Sequence, residues 1–94
     1  MRGAEQVEPG NPVVRANLGL MALESGREDE AVRRLTEAIE GDPDLHQARF
    51  GLARALARIG RRSEAADQAR ELLRRLPADA PQRAEVERLL TALR

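Results

Sequence analysis

Few residues in this 94-residue chain could do chemistry. His46 is the single histidine and cysteine is absent, so a metal site would have to rest on carboxylates. The serines and threonines have no histidine at a spacing that would activate a nucleophile, and no glycine-rich loop is placed to hold phosphate. His46 lies in the first turn of a predicted helix, where we expect an exposed or capping role. The sequence therefore predicts a protein that is not an enzyme and has no metal or cofactor.

The clearest constellation is a stripe of one aromatic residue and two arginines. Phe50, Arg54 and Arg58 lie at i, i+4 and i+8, so one helix would present all three on one face. Phe50 is the only aromatic residue, and an exposed ring is costly unless something covers it. A ring beside planar guanidinium groups can receive a peptide that carries a carboxylate and an apolar side chain.

An alternative interpretation of this stripe needs no ligand. Phe50 would then pack across the groove on Leu20 and Leu23. The arginines would be solvated or paired with Glu24 and Glu85.

Five helices must position these residues. Apolar or small residues at the helical period, Gly26 and Gly60 as stops, and two breaking prolines predict helices over about 12–25, 28–41, 44–59, 62–76 and 79–93. Asn11 before Pro12 predicts the first N-cap, and capping-box spacings at Asp44 to Gln47 and Asp79 to Gln82 predict two further helix starts. In the first helix the periodic residues are Val14, Leu18, Met21, Ala22 and Ser25.

The chain repeats itself after 34 residues. This shift superimposes turn and small residues of the two halves: Gly26 on Gly60, Ala31 on Ala65, and Pro43 on Pro77. We expect repeats over 12–45 and 46–79 and a capping helix over 80–94. Residues 1–11 would be a flexible terminus or the remnant of a preceding repeat.

These residues resemble the tetratricopeptide repeat, a 34-residue helix–turn–helix unit with the pattern W-x2-L-G-x2-Y, A-x3-F and P. The first unit reads Arg15-x2-Leu18-Gly19-x2-Ala22, Ala31-x3-Leu35 and Pro43. The second reads Arg49-x2-Leu52-Ala53-x2-Leu56, Ala65-x3-Ala69 and Pro77. The resemblance implies an all-α fold in which antiparallel helix pairs form a short right-handed superhelical solenoid of five helices. Neither unit has an aromatic residue at the places where the family usually has one.

The resemblance also implies a function in protein interaction. The first helix of each unit and the cap would line a concave groove that binds a peptide segment of a partner. The predicted groove residues are Val13, Asn17, Leu20, Gln47, Phe50, Arg54, Arg58 and Arg88. We expect the partner to be a protein or peptide of acidic or carboxylate character.

A structural role is the alternative function. The domain would be a stacking or self-association unit of a longer repeat scaffold, with early apolar residues such as Val13 and Val14 buried against another repeat or a second copy. The segment from Leu72 to Leu90 is similar to the ending of bacterial cytochrome c biogenesis repeat proteins, although these usually have tryptophan where Gln82 stands. The lysine-dependent carboxylate clamp that holds heat-shock-protein tails is not expected, because the chain has no lysine.

Composition excludes several other partners. All 16 basic residues are arginines and 16 acidic residues balance them, so a broad positive face for nucleic acid is not expected. No apolar run approaches the ~18–20 residues of a membrane span. The absence of cysteine leaves the compartment open, with the cytoplasm favoured over the periplasm. The arginine-rich and alanine-rich composition suggests a bacterial source.

Overall fold

Five α-helices build the part of the chain that the computed structural model describes, residues 10–94, and no strand occurs within that range. Their bounds are α1 (Pro12–Glu24), α2 (Glu28–Gly41), α3 (His46–Arg58), α4 (Arg62–Arg75) and α5 (Arg83–Ala92). The predicted all-α class with five helices is confirmed. The expectation for the first residues of the chain lies mostly outside the described range.

Local signals explain where α1 begins and where the first helix of each pair ends. Asn11 Oδ1 accepts a hydrogen bond from the Val13 N–H at 2.8 Å, and Pro12 is the first helical residue, as predicted. Gly26 and Gly60 follow α1 and α3 with φ of 80° and 86°. Only glycine adopts this left-handed conformation without strain, so the two residues end their helices and turn the chain back.

The two predicted capping boxes are wrong. The N-caps of α3 and α5 are Leu45 and Gln82, and neither helix has a side-chain cap. Before α3 the Asp44 N–H donates to Asp42 Oδ1 at 3.1 Å, which forms a local turn in place of a cap. Before α5 the cause is Pro81, because the residue that precedes a proline is disfavoured in helical conformation.

Each helix packs on the next one along the chain, and α1 also contacts α3. The helices therefore form antiparallel pairs, α1 with α2 and α3 with α4, and the pairs stack side by side. The largest fully buried side chains are Leu23, Leu35, Leu72 and Val86. The first helices of the two pairs are thus neighbours, which places their outer residues on a shared surface.

Small residues set how closely the paired helices approach. A Cβ atom added at Gly19 would lie 2.6 Å from Leu35 Cγ and 3.2 Å from the Leu35 backbone nitrogen. In the second pair the same positions are Ala53 and Ala69, and both are fully buried. In the first repeat a glycine faces a leucine, and in the second repeat an alanine faces an alanine. The two pairs fill a comparable space.

One face of α1 is uncovered in the described structure. Leu18 and Met21 are 40% and 61% exposed, so the 3.6-residue period of α1 does not mark a buried stripe. Their counterparts after 34 residues are Leu52 and Ala55, which are buried in the core cluster that includes α2. The period is the same in both helices, but only α3 has a preceding helix pair on this side among residues 10–94.

Arginine occupies the position where the family usually has tryptophan. Arg49 is buried, and its guanidinium donates to Gln68 Oε1 at 2.9 Å and to the Pro43 carbonyl at 3.3 Å. The equivalent Arg83 donates to the carbonyls of Leu73 and Leu76. In the second repeat and in the capping helix, the arginine therefore ties its helix to the end of the preceding helix or to the turn that follows it.

Candidate peptide-binding groove

The surface formed by α1, α3 and α5 contains two cavities that lie on either side of the first turn of α3. We call this surface the groove, and name the cavities by the first helices that flank them. The α1–α3 cavity has a volume of about 220 Å³ and the α3–α5 cavity one of about 200 Å³. His46 and Gln47 line both cavities, so they form the ridge between them.

The α1–α3 cavity collects half of the predicted site. Four of the eight predicted groove residues line it: Val13, Asn17, Leu20 and Gln47. On its wall, Leu20 packs closely on Gly51 of α3, where an added Cβ would be 2.6 Å from Leu20 Cδ2. Val13 is 51% exposed at the rim, so an apolar side chain of the groove is open to solvent beside the cavity.

The α3–α5 cavity has an apolar floor and a polar rim. The floor is made by Phe50 with Leu72, Leu76 and Val86. The rim adds four polar residues: His46, Gln47, Gln82 and Glu85. Phe50 is half-buried, with its ring against the core cluster shared by α4 and α5. The alternative in which Phe50 packs on Leu20 and Leu23 is wrong, because those residues belong to the other core cluster.

The three predicted groove arginines differ in their surroundings. Arg54 lies over the ring of Phe50 with its Cζ 6.0 Å from the centroid, the geometry of a cation–π contact. Arg58 turns back toward α1 and α2, donating to the Leu23 carbonyl at 3.2 Å and lying 3.9 Å from a carboxylate oxygen of Glu28. Arg88 is exposed on α5. Neither Arg54 nor Arg88 has an ion pair with any residue in the range 10–94.

The carboxylates whose pKa is lowered lie outside the groove, on α2 and α4. A hydrogen bond from Arg34 lowers the pKa of Glu30, and one from Arg74, followed by one from Arg75, lowers the pKa of Glu71. These pairs are exposed and contribute little to stability. The arginines of these pairs already bind carboxylates of the same helix, whereas Arg54 and Arg88 do not.

Sequence reasoning missed the role of His46 and most of the α3–α5 cavity. The sequence predicted an exposed or capping role for His46, yet its Nδ1 atom is buried without a hydrogen-bond partner in the described structure. The cavity floor comes from α4, whose leucines read only as core residues in the sequence. No sequence signal distinguishes a core leucine from one that also faces a cavity.

Comparison with known proteins identifies the family. A family model described as tetratricopeptide repeat matches residues 22–93. The chain belongs to the tetratricopeptide repeat family. Over 88 residues it is 34% identical to the TPR repeat-containing thioredoxin TTL4 of Arabidopsis thaliana, an alignment that covers 94% of this chain and 12% of that protein. No solved structure matches the chain.

Membership of the tetratricopeptide repeat family gives a general function. Its repeats mediate protein–protein interaction and are typically non-enzymatic modules. This relative comes from a plant, so the bacterial source stays a prediction, as does the likeness to cytochrome c biogenesis proteins. Within the described residues, no group of histidine or acidic side chains could hold a metal ion, and none of the helices is long and apolar enough to cross a membrane.

Proposed function

We propose that this tetratricopeptide repeat domain captures a peptide segment of a partner protein in the groove formed by α1, α3 and α5. The observation that carries the proposal is the pair of side-by-side cavities at the first turn of α3. A pocket with apolar walls and a few polar groups at its rim is the usual form of a site that takes a ligand side chain. Two such pockets on one exposed surface favour a ligand with several side chains.

The charges of the groove favour an acidic partner. Arg54 and Arg88 occupy equivalent positions on α3 and α5 after a shift of 34 residues, and neither is neutralised within residues 10–94. A ligand carboxylate that reaches either guanidinium group would gain charge-assisted hydrogen bonds. Arg58 contributes less, because the Leu23 carbonyl and Glu28 already hold it. The apolar part of the ligand would then lie on Phe50 and in the cavities.

Fluorescence anisotropy with labelled acidic peptides tests this proposal. Replacing Arg54 and Arg88 together by glutamine should weaken binding by about 10-fold or more at low salt, and the loss should shrink as salt rises. Replacing Arg33 and Arg94 together by glutamine is the matched control, since both are exposed arginines that line neither cavity. Equal loss in the control would show that only net charge matters, and would contradict binding in the groove.

A second function, stacking against another helix pair, is favoured by the exposed face of α1. Leu18 and Met21 lie where their counterparts Leu52 and Ala55 are buried. If this face associates, Met21→Glu should abolish any concentration-dependent rise in mass seen by sedimentation. Thr91→Glu, on the exposed surface of α5, is the control. A monomer at all concentrations would contradict association between copies of this chain.

A further inference from the structure

We infer that the cavity between the two second helices, α2 and α4, binds a basic segment of a partner protein through a long cationic side chain. We call this cavity the α2–α4 cavity. It shares no lining residue with either cavity of the groove, so the inference goes beyond the proposed function. It follows from the size of the cavity, its apolar floor and the charges at its rim.

Three helices build the α2–α4 cavity. One wall is α2 from Val32 to Glu40, the other is α4 from Glu64 to Gln68, and Leu52 and Leu56 of α3 lie between them. Eight steps of 1.5 Å along α2 give the cavity a length of about 12 Å. Its volume of about 460 Å³ is more than twice that of either groove cavity. The cavity is therefore long enough for an extended side chain to lie along it.

The floor of the cavity is apolar. Ile39, Leu52 and Leu56 are buried residues of the core cluster, and Val32 packs against that cluster beside them. Methylene groups gain free energy when they leave water for such a surface. A compact inorganic cation could satisfy the charges of the rim, but it would leave the floor uncovered. The floor therefore favours an occupant with an aliphatic stem.

Carboxylates dominate the charge of the rim. Glu40, Glu64 and Asp67 are exposed there, and Arg61 is the one basic residue among the described lining residues, so three negative charges and one positive charge leave a formal charge of −2. Arg61 donates to Glu64 at 2.8 Å, and this hydrogen bond lowers the pKa of Glu64. Asp67 lies 3.4 Å from the guanidinium of Arg70, and Glu40 has no ion pair within residues 10–94. The rim therefore attracts a cationic group.

Arginine and lysine combine the two properties that the cavity requires. Their methylene stems lie along apolar surfaces while the charged heads stay at a polar edge. An arginine head can also bind a carboxylate through two parallel hydrogen bonds. The occupant thus differs in charge from the acidic segment proposed for the groove, and the two surfaces would contact different segments of a partner.

Labelled basic peptides test both the charge and the stem. The first probe is a short peptide in which arginine alternates with alanine. In the second probe each arginine is replaced by 2-amino-3-guanidinopropionic acid, which carries the same guanidinium group on a shorter stem. Fluorescence anisotropy should show the arginine peptide binding about 5-fold or more tightly, because more methylene surface leaves water. Equal affinity of the two peptides would overturn the inference.

Charge variants locate the binding site. Glu40→Gln combined with Asp67→Asn removes two carboxylates from the rim, and it should weaken binding of the arginine peptide by about 10-fold or more at low salt. Glu24→Gln combined with Asp79→Asn is the matched control, since both residues are exposed and line none of the three cavities. An equal loss in the control would show that only net charge matters, and would overturn the inference.

A cavity-filling variant provides an independent test. Thr36 lines the cavity and is half-buried, so Thr36→Phe should lower the affinity of the arginine peptide to that of the short-stem peptide. Thr91→Phe, on the exposed surface of α5, should leave it unchanged. If Thr36→Phe does not fold, the charge variants decide the question. In NMR titrations the arginine peptide should shift resonances of Val32 and Leu56, and shifts around Phe50 instead would overturn the inference.

Discussion

Replacing Gly19 by alanine should destabilise the domain, although alanine is the better helix former. In an exposed helix interior this change gains about 0.5–1 kcal/mol. Here the new Cβ would lie 2.6 Å from Leu35 Cγ and 2.9 Å from Leu35 Cδ2. Leu35 has no exposed surface, so its side chain has no free space into which it could move.

The magnitude follows from two opposing effects. Forcing an extra methyl group into a filled core costs about 1–3 kcal/mol. After subtraction of the helix-propensity gain, Gly19→Ala should lower the free energy of unfolding by about 0.5–2 kcal/mol. For a domain of this size that corresponds to a drop in Tm of roughly 4–8 °C per kcal/mol. The expected change is therefore measurable by thermal melting.

Urea denaturation followed by circular dichroism, in a double-mutant cycle with Leu35→Ala, is the decisive assay. Leu35→Ala alone should cost about 2–5 kcal/mol. In that background Gly19→Ala should stabilise by about 0.5–1 kcal/mol, because the pair then matches the fully buried Ala53 and Ala69 of the second repeat. The coupling energy between the two sites would be on the order of 2 kcal/mol.

The opposite sign would refute this reasoning. If Gly19→Ala stabilises the protein equally with leucine and with alanine at position 35, then α1 and α2 do not meet at this point. The small residue would then have no role in the helix pair. Ala53→Gly is the matched control, and it should cost about 1 kcal/mol through the loss of helix propensity.

Three further predictions concern single residues outside the cavities. Arg49→Ala should lower the free energy of unfolding by about 2–4 kcal/mol in urea titrations, because it leaves Gln68 and the Pro43 carbonyl unpaired. Arg49→Leu should cost less, and equal losses for the two variants would contradict this prediction. Hydrogen bonds from arginine lower the pKa of Glu71 below its ordinary value of 4.5. The stability that the ionised Glu71 contributes is therefore complete above that value and is lost as pH falls through the folded pKa. Glu71→Gln should make the Tm fall less steeply with acid in thermal melts, and an unchanged profile would argue against this prediction. Gly60→Ala should cost about 1–2 kcal/mol in urea, because φ is 86° there and no clash is involved; no change in stability would show that the turn does not need the left-handed conformation.

The sequence was sufficient to predict the fold because its strongest signals are local. The Asn11 cap and the glycine stops depend only on neighbouring residues, and the 34-residue shift compares the same local signals in the two units; all agree with the helices observed. The capping boxes failed because a spacing cannot tell whether the backbone takes another turn, as at Asp44, or whether a proline delays the helix, as before α5.

The groove could be predicted only in part. The resemblance to the repeat family implies that the first helices share a surface, and the helical period then selects Val13, Asn17, Leu20 and Gln47 on it. The structure brings these residues to one cavity. The period does not show that Arg58 turns toward the Leu23 carbonyl, since that contact joins residues 35 positions apart. Nor could it show that no other described residue covers one face of α1, because the same spacing describes a covered and an uncovered stripe.

The most direct test of the central claim is a two-dimensional NMR titration of the intact chain with acidic peptides at low and high salt. We expect salt-sensitive chemical-shift changes that cluster at His46, Gln47, Phe50, Arg54 and Arg88. Changes confined to the outer face of α1, around Leu18 and Met21, or no changes at all, would contradict peptide capture in the groove.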